Sequence, residues 1–172
     1  MNPIISLKDL AAVRERHAGK KIVFCSGTFD LPHAGHVLFL EDCKKYGDIL
    51  VVGVGCDSII KTYKGPTRPV LNEQVRVKII SAFKPVDYAF IDEPRSQENI
   101  LVFLNEVFEK LKPNTYVFNT DAFNIPYREE ISKKHGVRAV ALDRWCPPAF
   151  EKISTSAIIS RIGSDEQKKN PG

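Results

Sequence analysis

At 172 residues, with 43% hydrophobic and 27% charged side chains, the chain suits one globular domain burying roughly two thirds of its unfolded surface, and its composition excludes a largely disordered protein. A net charge of +4 with no basic run interleaved with aromatics points to small anionic ligands and against nucleic acid. No apolar run reaches the roughly 18 residues of a membrane span. The first residues lack a signal peptide's charged start and apolar core, and Cys25, Cys43, Cys56 and Cys146 form no Cys-x-x-Cys pair, so a cytoplasmic protein with reduced thiols and no membrane partner is expected.

Ser6 ahead of Leu7-Lys8-Asp9-Leu10-Ala11-Ala12-Val13 predicts a capped amphipathic helix ending near Gly19, an N-terminal arm over residues 1–20 whose role is packing. Lys21 to Cys25 reads as a short apolar strand, Gly27 to Pro32 as a turn and Ala34 to Lys45 as a helix. Ile49 to Gly55 is an apolar run of the kind buried on both faces of a parallel sheet, and a polar loop holding Lys61 and Lys64 follows it. Gln74 to Phe83 predicts a helix, Val86 to Ile91 a strand, and Gln97 to Leu111 a helix with Ile100, Leu101, Leu104, Val107 and Phe108 on its apolar side. Thr115 to Phe118 and Val137 to Leu142 read as strands flanking a helix around Tyr127 to His135. Five strands with intervening helices predict the α/β class: a Rossmann-like, doubly wound parallel sheet forming one domain over residues 21–163, with 164–172 a flexible tail. Such sheets bind ligands beyond the C-terminal ends of their strands, where the His33 loop, Asp57, Asp92 and Asp121 all fall.

The most informative stretch is Cys25-Ser26-Gly27-Thr28-Phe29-Asp30-Leu31-Pro32-His33-Ala34-Gly35-His36, a strand that runs through a turn into a helix. A helix N-terminus carries free N–H groups and a partial positive charge, so a polyphosphate can dock there. His33 and His36, at i and i+3, share one helical face, and Gly35 leaves open the space through which a nucleotide would pass. The Gly-x-x-x-x-Gly-Lys phosphate loop is absent. Taken alone, two histidines at this spacing serve equally as a helix cap or a core pair, and a zinc site would still need two further ligands.

Gly27-Thr28-Phe29-Asp30-Leu31-x-His33-x-Gly35-His36 resembles the cytidylyltransferase-like branch of the His-x-Gly-His nucleotidyltransferase superfamily, and the likeness runs from about Lys21 to Ile162. Tyr46 to Val54 with Asp57 is similar to the family's second strand and its end, Lys61 and Lys64 sit where its members carry triphosphate-binding lysines, and Arg68-Pro69 with Glu73-Gln74-Val75-Arg76 matches an arginine-bearing segment. Val86-Asp87-Tyr88 resembles the third strand, Asp121 follows the fourth, and Ile153-Ser154-Thr155-Ser156-Ala157-Ile158-Ile159 is similar to the segment that opens the last helix.

The resemblance implies attack of a phosphate-bearing acceptor on the α-phosphate of a nucleoside triphosphate, CTP or ATP, with release of pyrophosphate. His33, His36, Lys61 and Arg76 are the expected catalytic residues. Gly27, Thr28, Phe29, Gly35, Lys64, Asp121, Ser154, Thr155 and Ser156 are expected to bind the nucleotide, and Asp30, Arg144 and Trp145 the acceptor. Mg²⁺ is expected with the triphosphate, Asp30 and Asp121 being candidates to face it without a firm protein ligand, and the family implies a homodimer. Each residue also has an ordinary use: a solvated loop for Lys61 and Lys64, surface packing for Arg76, and a plain helix cap for Thr155 and Ser156.

Two departures stand out. Ala149-Phe150-Glu151-Lys152 follows Trp145-Cys146-Pro147-Pro148 where relatives carry an arginine, so Arg144 or Lys152 takes that role, and Asn119-Thr120-Asp121-Ala122-Phe123 replaces a Gly-x-Asp-aromatic segment. Trp145, Phe123 and Tyr127 could wall an acceptor site. Gly-Thr-Phe-Asp favours the relatives that use CTP to make CDP-glycerol or CDP-ethanolamine. The N-terminal helix, Lys64-Gly65 with Arg68-Pro69, and Ala157-Ile158-Ile159 look more like the ATP-using heptose 1-phosphate group. The expectation leans to CTP, with adenylyl transfer of the heptose 1-phosphate or FAD-forming type as the alternative and an inactive nucleotide-binding regulatory module as a third.

Overall fold

The computed structural model describes residues 3–92, 100–150 and 153–169, the last five of these by backbone alone. A 3-10 turn at Leu7–Asp9 leads into α1 (Leu10–Arg16), and then the chain alternates: β1 (Ile22–Gly27), α2 (Ala34–Lys44), β2 (Ile49–Val54), α3 (Asp57–Lys64), α4 (Glu73–Ser81), β3 (Tyr88–Ile91), α5 (Phe103–Leu111), β4 (Thr115–Asn119), α6 (Ile125–Lys134), β5 (Arg138–Leu142) and α7 (Thr155–Lys169). The five strands are all parallel in the order β3-β2-β1-β4-β5. The chain builds outward from β1 to β3, then crosses to the other side of β1 for β4 and β5, which makes the β1/β4 boundary the switch point where such sheets bind ligands.

Register follows from the period-2 pleat. Ile22 and Phe24 of β1, Val51 of β2, Tyr88 and Phe90 of β3 and Tyr116 and Phe118 of β4 face one core with Leu7, Leu10 and Val13 of the arm and Leu104, Val107, Phe108 and Leu111 of α5. Their neighbours Val23, Cys25, Leu50, Val52, Val54, Ala89 and Val117 face the other core with Leu40 and Cys43 of α2 and Val77 and Ile80 of α4. Helices therefore cover both faces, and the N-terminal arm is part of the core. Gly47 is required by a close approach: a Cβ there would lie 2.7 Å from the Lys21 carbonyl oxygen.

Three elements differ from the sequence-based expectation. The loop expected at Lys61 and Lys64 is α3, an eight-residue helix that buries only Ile59 and Ile60, shorter than the window of about 11 residues over which a helical period is read. Helix α5 starts at Phe103, with Ile100 and Leu101 in a turn before it; the expected start at Gln97 lies outside the described residues. Helix α7 continues to Lys169, through most of the segment expected to be a flexible tail. Among the described residues no helix is long and apolar enough to cross a membrane.

Candidate active site

Beyond the C-terminal ends of β1, β4 and β5 lies a cleft of about 870 Å³, lined by Gly27, Thr28, Phe29, Asp30, His33, Gly35 and His36 from the first crossover and by Ile153 to Ser156 from the start of α7. A neighbouring recess of about 300 Å³ shares Gly27, Thr28, Lys64, Asp121 and Arg144 with it. The N-termini of α2 and α7 meet here, so two positive dipole ends face one space.

His33 is the N-cap of α2, and its Nδ1 accepts the Gly35 N–H at 3.1 Å. His36 Nδ1 accepts the His33 N–H at 3.3 Å, and the two rings stack 4.0 Å apart. With Nδ1 of both rings engaged as acceptor, each neutral imidazole carries its proton on Nε2. Burial, reinforced by His33, Arg144 and Lys64, lowers the His36 pKa to about 3, and burial with Arg144 lowers that of His33. Both rings are neutral hydrogen-bond donors at physiological pH. The His33 ring packs against Gly35, where a Cβ would lie 3.0 Å from His33 Cε1, and Gly35 still lines the cleft.

The loop carrying these residues is tied down from three sides. Asp30, 1% exposed, accepts Val70 and Leu71 N–H at 3.0 Å each and Arg68 Nε at 3.1 Å. Burial pushes its pKa up, but those N–H groups and the Arg68 charge outweigh it and hold the carboxyl below its ordinary value. Thr155 Oγ1 donates to the Asp30 carbonyl at 2.7 Å, fastening α7 to the loop, and the Ser154 hydroxyl accepts the Ala157 N–H at 3.2 Å as the cap of α7. Phe29 and Leu31 hold the chain at φ 49° and 44°, a conformation that these contacts impose on non-glycine residues.

Several expected site residues have other work. Arg76 is fully buried and lines neither cavity: Nε donates to Leu71 O at 2.8 Å, one Nη to Thr28 O at 2.5 Å and the other to Asp57 Oδ1 at 2.6 Å. It braces the loop from behind, three of its five N–H donors engaged and none of the side chain exposed toward either cavity. The carboxylate of Asp30, expected to meet acceptor or Mg²⁺, is spent on residues 68–71. Lys61 is exposed on α3 and lines neither cavity, whereas Lys64 lines both, and burial followed by Arg68 lowers its pKa. Arg144 and Asp121 pair at 2.8 Å on the rim, with Trp145, 62% exposed, beside them. Of the expected aromatic wall, Phe123 lines the recess, while Tyr127 packs toward α5 and accepts from Asn105 Nδ2 at 3.4 Å. Lys152 lies outside the described residues.

The sequence alone did not single out Tyr63, whose hydroxyl meets Thr28 Oγ1 at 2.7 Å, or Arg128 in the recess, and it marked Asp92 only as following a strand. None sits in a motif, and an arginine in the middle of a polar helix carries no local signal. Among the described residues no three His, Cys, Asp or Glu side chains gather as a metal site. With Asp30 committed and Asp121 paired, the donors present do not form a protein cage for Mg²⁺.

A family model described as cytidylyltransferase-like matches residues 24–161, from β1 into α7. The chain belongs to that family of nucleotidyltransferases. It is 44% identical over 159 residues to a bifunctional protein HldE of Syntrophotalea carbinolica, covering 91% of this chain and 30% of that protein. To a bifunctional protein HldE of Helicobacter pylori (strain Shi470) it is 33% identical over 159 residues, covering 92% and 31%. The chain thus spans about a third of the length of these curated relatives. A solved structure of a lipopolysaccharide core biosynthesis protein from Thermoplasma volcanium superposes with a TM-score of 0.62 and 28% identity, covering 74% of this chain and all of that one. A pantoate-β-alanine ligase from Francisella tularensis shares the fold at a TM-score of 0.63 and 15% identity, covering 97% and 79%.

Proposed function

We propose that this cytidylyltransferase-like chain transfers an adenylyl group from ATP to a sugar phosphate of the heptose 1-phosphate type, releasing pyrophosphate. The observation that carries nucleotidyl transfer is the pair of neutral imidazoles, each with Nδ1 engaged by backbone, at the meeting point of two helix N-termini. An acceptor phosphate oxygen attacks the α-phosphorus in line. The new P–O bond forms as the bond to the β-phosphate oxygen breaks, and the electron pair leaves with pyrophosphate. The nucleophile is already an anion, so no general base is needed. His33 and His36 donate Nε2–H bonds where charge accumulates, the N–H groups opening α7 hold phosphate oxygens, and Lys64 neutralises the departing pyrophosphate. Mg²⁺, when bound with the triphosphate, would neutralise phosphate charge, with no cage of protein carboxylates among the described residues to hold it.

ATP is preferred over CTP because the relatives are bifunctional HldE proteins and a lipopolysaccharide core biosynthesis protein. They weigh with the heptose-like features, Lys64-Gly65, Arg68-Pro69 and Ala157-Ile158-Ile159, against the CTP-like Gly27-Thr28-Phe29-Asp30. That last segment carries cytidylyl transfer as the second reading. The test is the melting temperature with ATP, CTP, GTP and UTP plus Mg²⁺, followed by pyrophosphate release with sugar phosphates. A shift with ATP alone is expected, a shift with CTP alone selects the second reading, and no shift with any nucleotide overturns both.

A further inference from the structure

The recess beside the cleft holds two charged side chains that the histidine cradle does not use. Asp92, directly after β3, is 5% exposed. Its Oδ1 accepts the Cys56 N–H at 2.7 Å, which fixes the carboxylate in place. The Cys56 thiol also interacts with the carboxylate, and Asp92 lines the recess with no further side-chain hydrogen bond among the described residues. Arg128 of α6 is built the same way. Nε donates to Phe123 O at 2.8 Å, one Nη donates to the Tyr116 hydroxyl, and the guanidinium lies over the Tyr116 and Phe118 rings. The other Nη has no hydrogen bond among the described residues, and Arg128 lines the recess. The two groups come from opposite sides of β1 in the strand order, and neither pairs with the other.

Among the described residues Asp92 has no ion-pair partner, which is unfavourable for a buried carboxylate, and burial, only partly offset by the Cys56 N–H and the Arg76 charge, raises its pKa to about 6. A packed apolar residue would be more stable, so the arrangement calls for a ligand. Ile59, Leu101, Phe103 and Phe118 form an apolar wall, Tyr63, Asn119, Asp121 and Arg144 add polar groups, and the volume of about 300 Å³ sits at the small end of ligand pockets. Its mouth is Gly27, Thr28 and Lys64, shared with the cleft where the α-phosphate would lie.

We infer that this recess is the acceptor's sugar pocket: Asp92 Oδ2 accepts hydroxyl protons from a single polyhydroxylated ring, and Arg128 donates to its oxygens. This deepens the proposed transferase reading and rests on it. A neutral polyol satisfies both groups at once, whereas an ammonium of an amino-alcohol phosphate would meet the Arg128 charge, and a three-carbon polyol phosphate would leave one of the two groups unsatisfied.

The experiment compares wild type with Asp92→Asn, using aldose 1-phosphates, glycerol 3-phosphate and phosphoethanolamine as acceptors with ATP and Mg²⁺. The expected result is an aldose 1-phosphate as best acceptor, with its KM raised at least tenfold in Asp92→Asn while the KM for ATP and the ATP-induced melting shift are unchanged. An unaltered acceptor KM, or preference for glycerol 3-phosphate or phosphoethanolamine over every aldose 1-phosphate, overturns the inference. If no acceptor releases pyrophosphate although ATP still binds, the transferase reading fails, and saturation-transfer NMR decides the pocket separately. Aldose 1-phosphate binding that is lost in Asp92→Asn upholds it, and no binding to wild type overturns it.

Discussion

The histidine cradle and the adjoining recess differ in where their polar atoms find partners. In the cradle the two histidines are fixed by local bonds, His33 to Gly35 and His36 to His33, and the loop ahead of them is fully tied, Asp30 to residues 68–71, Arg76 to the Thr28 carbonyl and Thr155 to the Asp30 carbonyl. In the recess two charges 36 positions apart, Asp92 and Arg128, are delivered by β3 and α6 and anchored by backbone or phenol groups, each lining the recess. The histidine cap is written in one segment, and tertiary ties hold the loop that leads into it. The recess exists only because the sheet brings distant elements together, which is where acceptor choice is expected to vary within a family of one chemistry.

The largest effect expected is on the brace behind the cradle. Arg76→Met removes a fully buried guanidinium and strands the Asp57 carboxylate and two carbonyls. Denaturant unfolding should show a loss of about 3–5 kcal/mol; a loss below about 1 kcal/mol would mean the cradle stands without it. Next, His36→Ala should lower kcat about 100-fold, roughly 3 kcal/mol of transition-state stabilisation, with the ATP-induced melting shift largely kept. If the drop lies only in KM for ATP, the ring binds ground state and not transition state.

Asp92→Asn separates the two regions. Its raised carboxyl pKa means that the folded state takes up a proton more readily than the unfolded chain between about pH 4 and 6, so stability from this group falls as pH rises through that window and the full penalty is present above pH 6. Removing the charge should therefore stabilise the fold at pH 7 by about 2 kcal/mol, while activity toward the sugar phosphate declines. A variant both less stable and less active would make Asp92 structural. The histidines have the opposite sign: with the His36 pKa depressed to about 3, stability is lost as pH falls below the unfolded value near 6.5, and kcat should be flat from pH 6.5 to 8. A kcat step of one proton within that range would place a charged imidazole in the reaction. The smallest effect is at the seam: Thr155→Val breaks the bond from α7 to the Asp30 carbonyl and should cost about 1 kcal/mol by thermal unfolding.

How much of this was legible follows from range. Alternating apolar runs place β1, β2 and β4 within about two residues because strands buried on both faces carry their signal locally. Helix α3 escaped because Asp57-Ser58-Ile59-Ile60-Lys61-Thr62-Tyr63-Lys64 is short, polar and rich in β-branched residues, and its helical form depends on seating Ile59 and Ile60 on the sheet. The lean toward CTP rested on four residues, Gly27 to Asp30, one of which, Asp30, turns out to hold a neighbouring loop.

By itself the sequence determined the α/β alternation, the strand-turn-helix bearing His33 and His36, and the capped start of α7, because each is specified by period, turn chemistry or capping over a dozen residues or fewer. Only the tertiary structure decided that Arg76 braces rather than clamps, that Lys64 and not Lys61 reaches the cleft, and that Asp92 and Arg128 share a recess. Those outcomes turn on which face of a short helix meets the sheet and on crossovers that join residues far apart in the chain, and no local pattern encodes either.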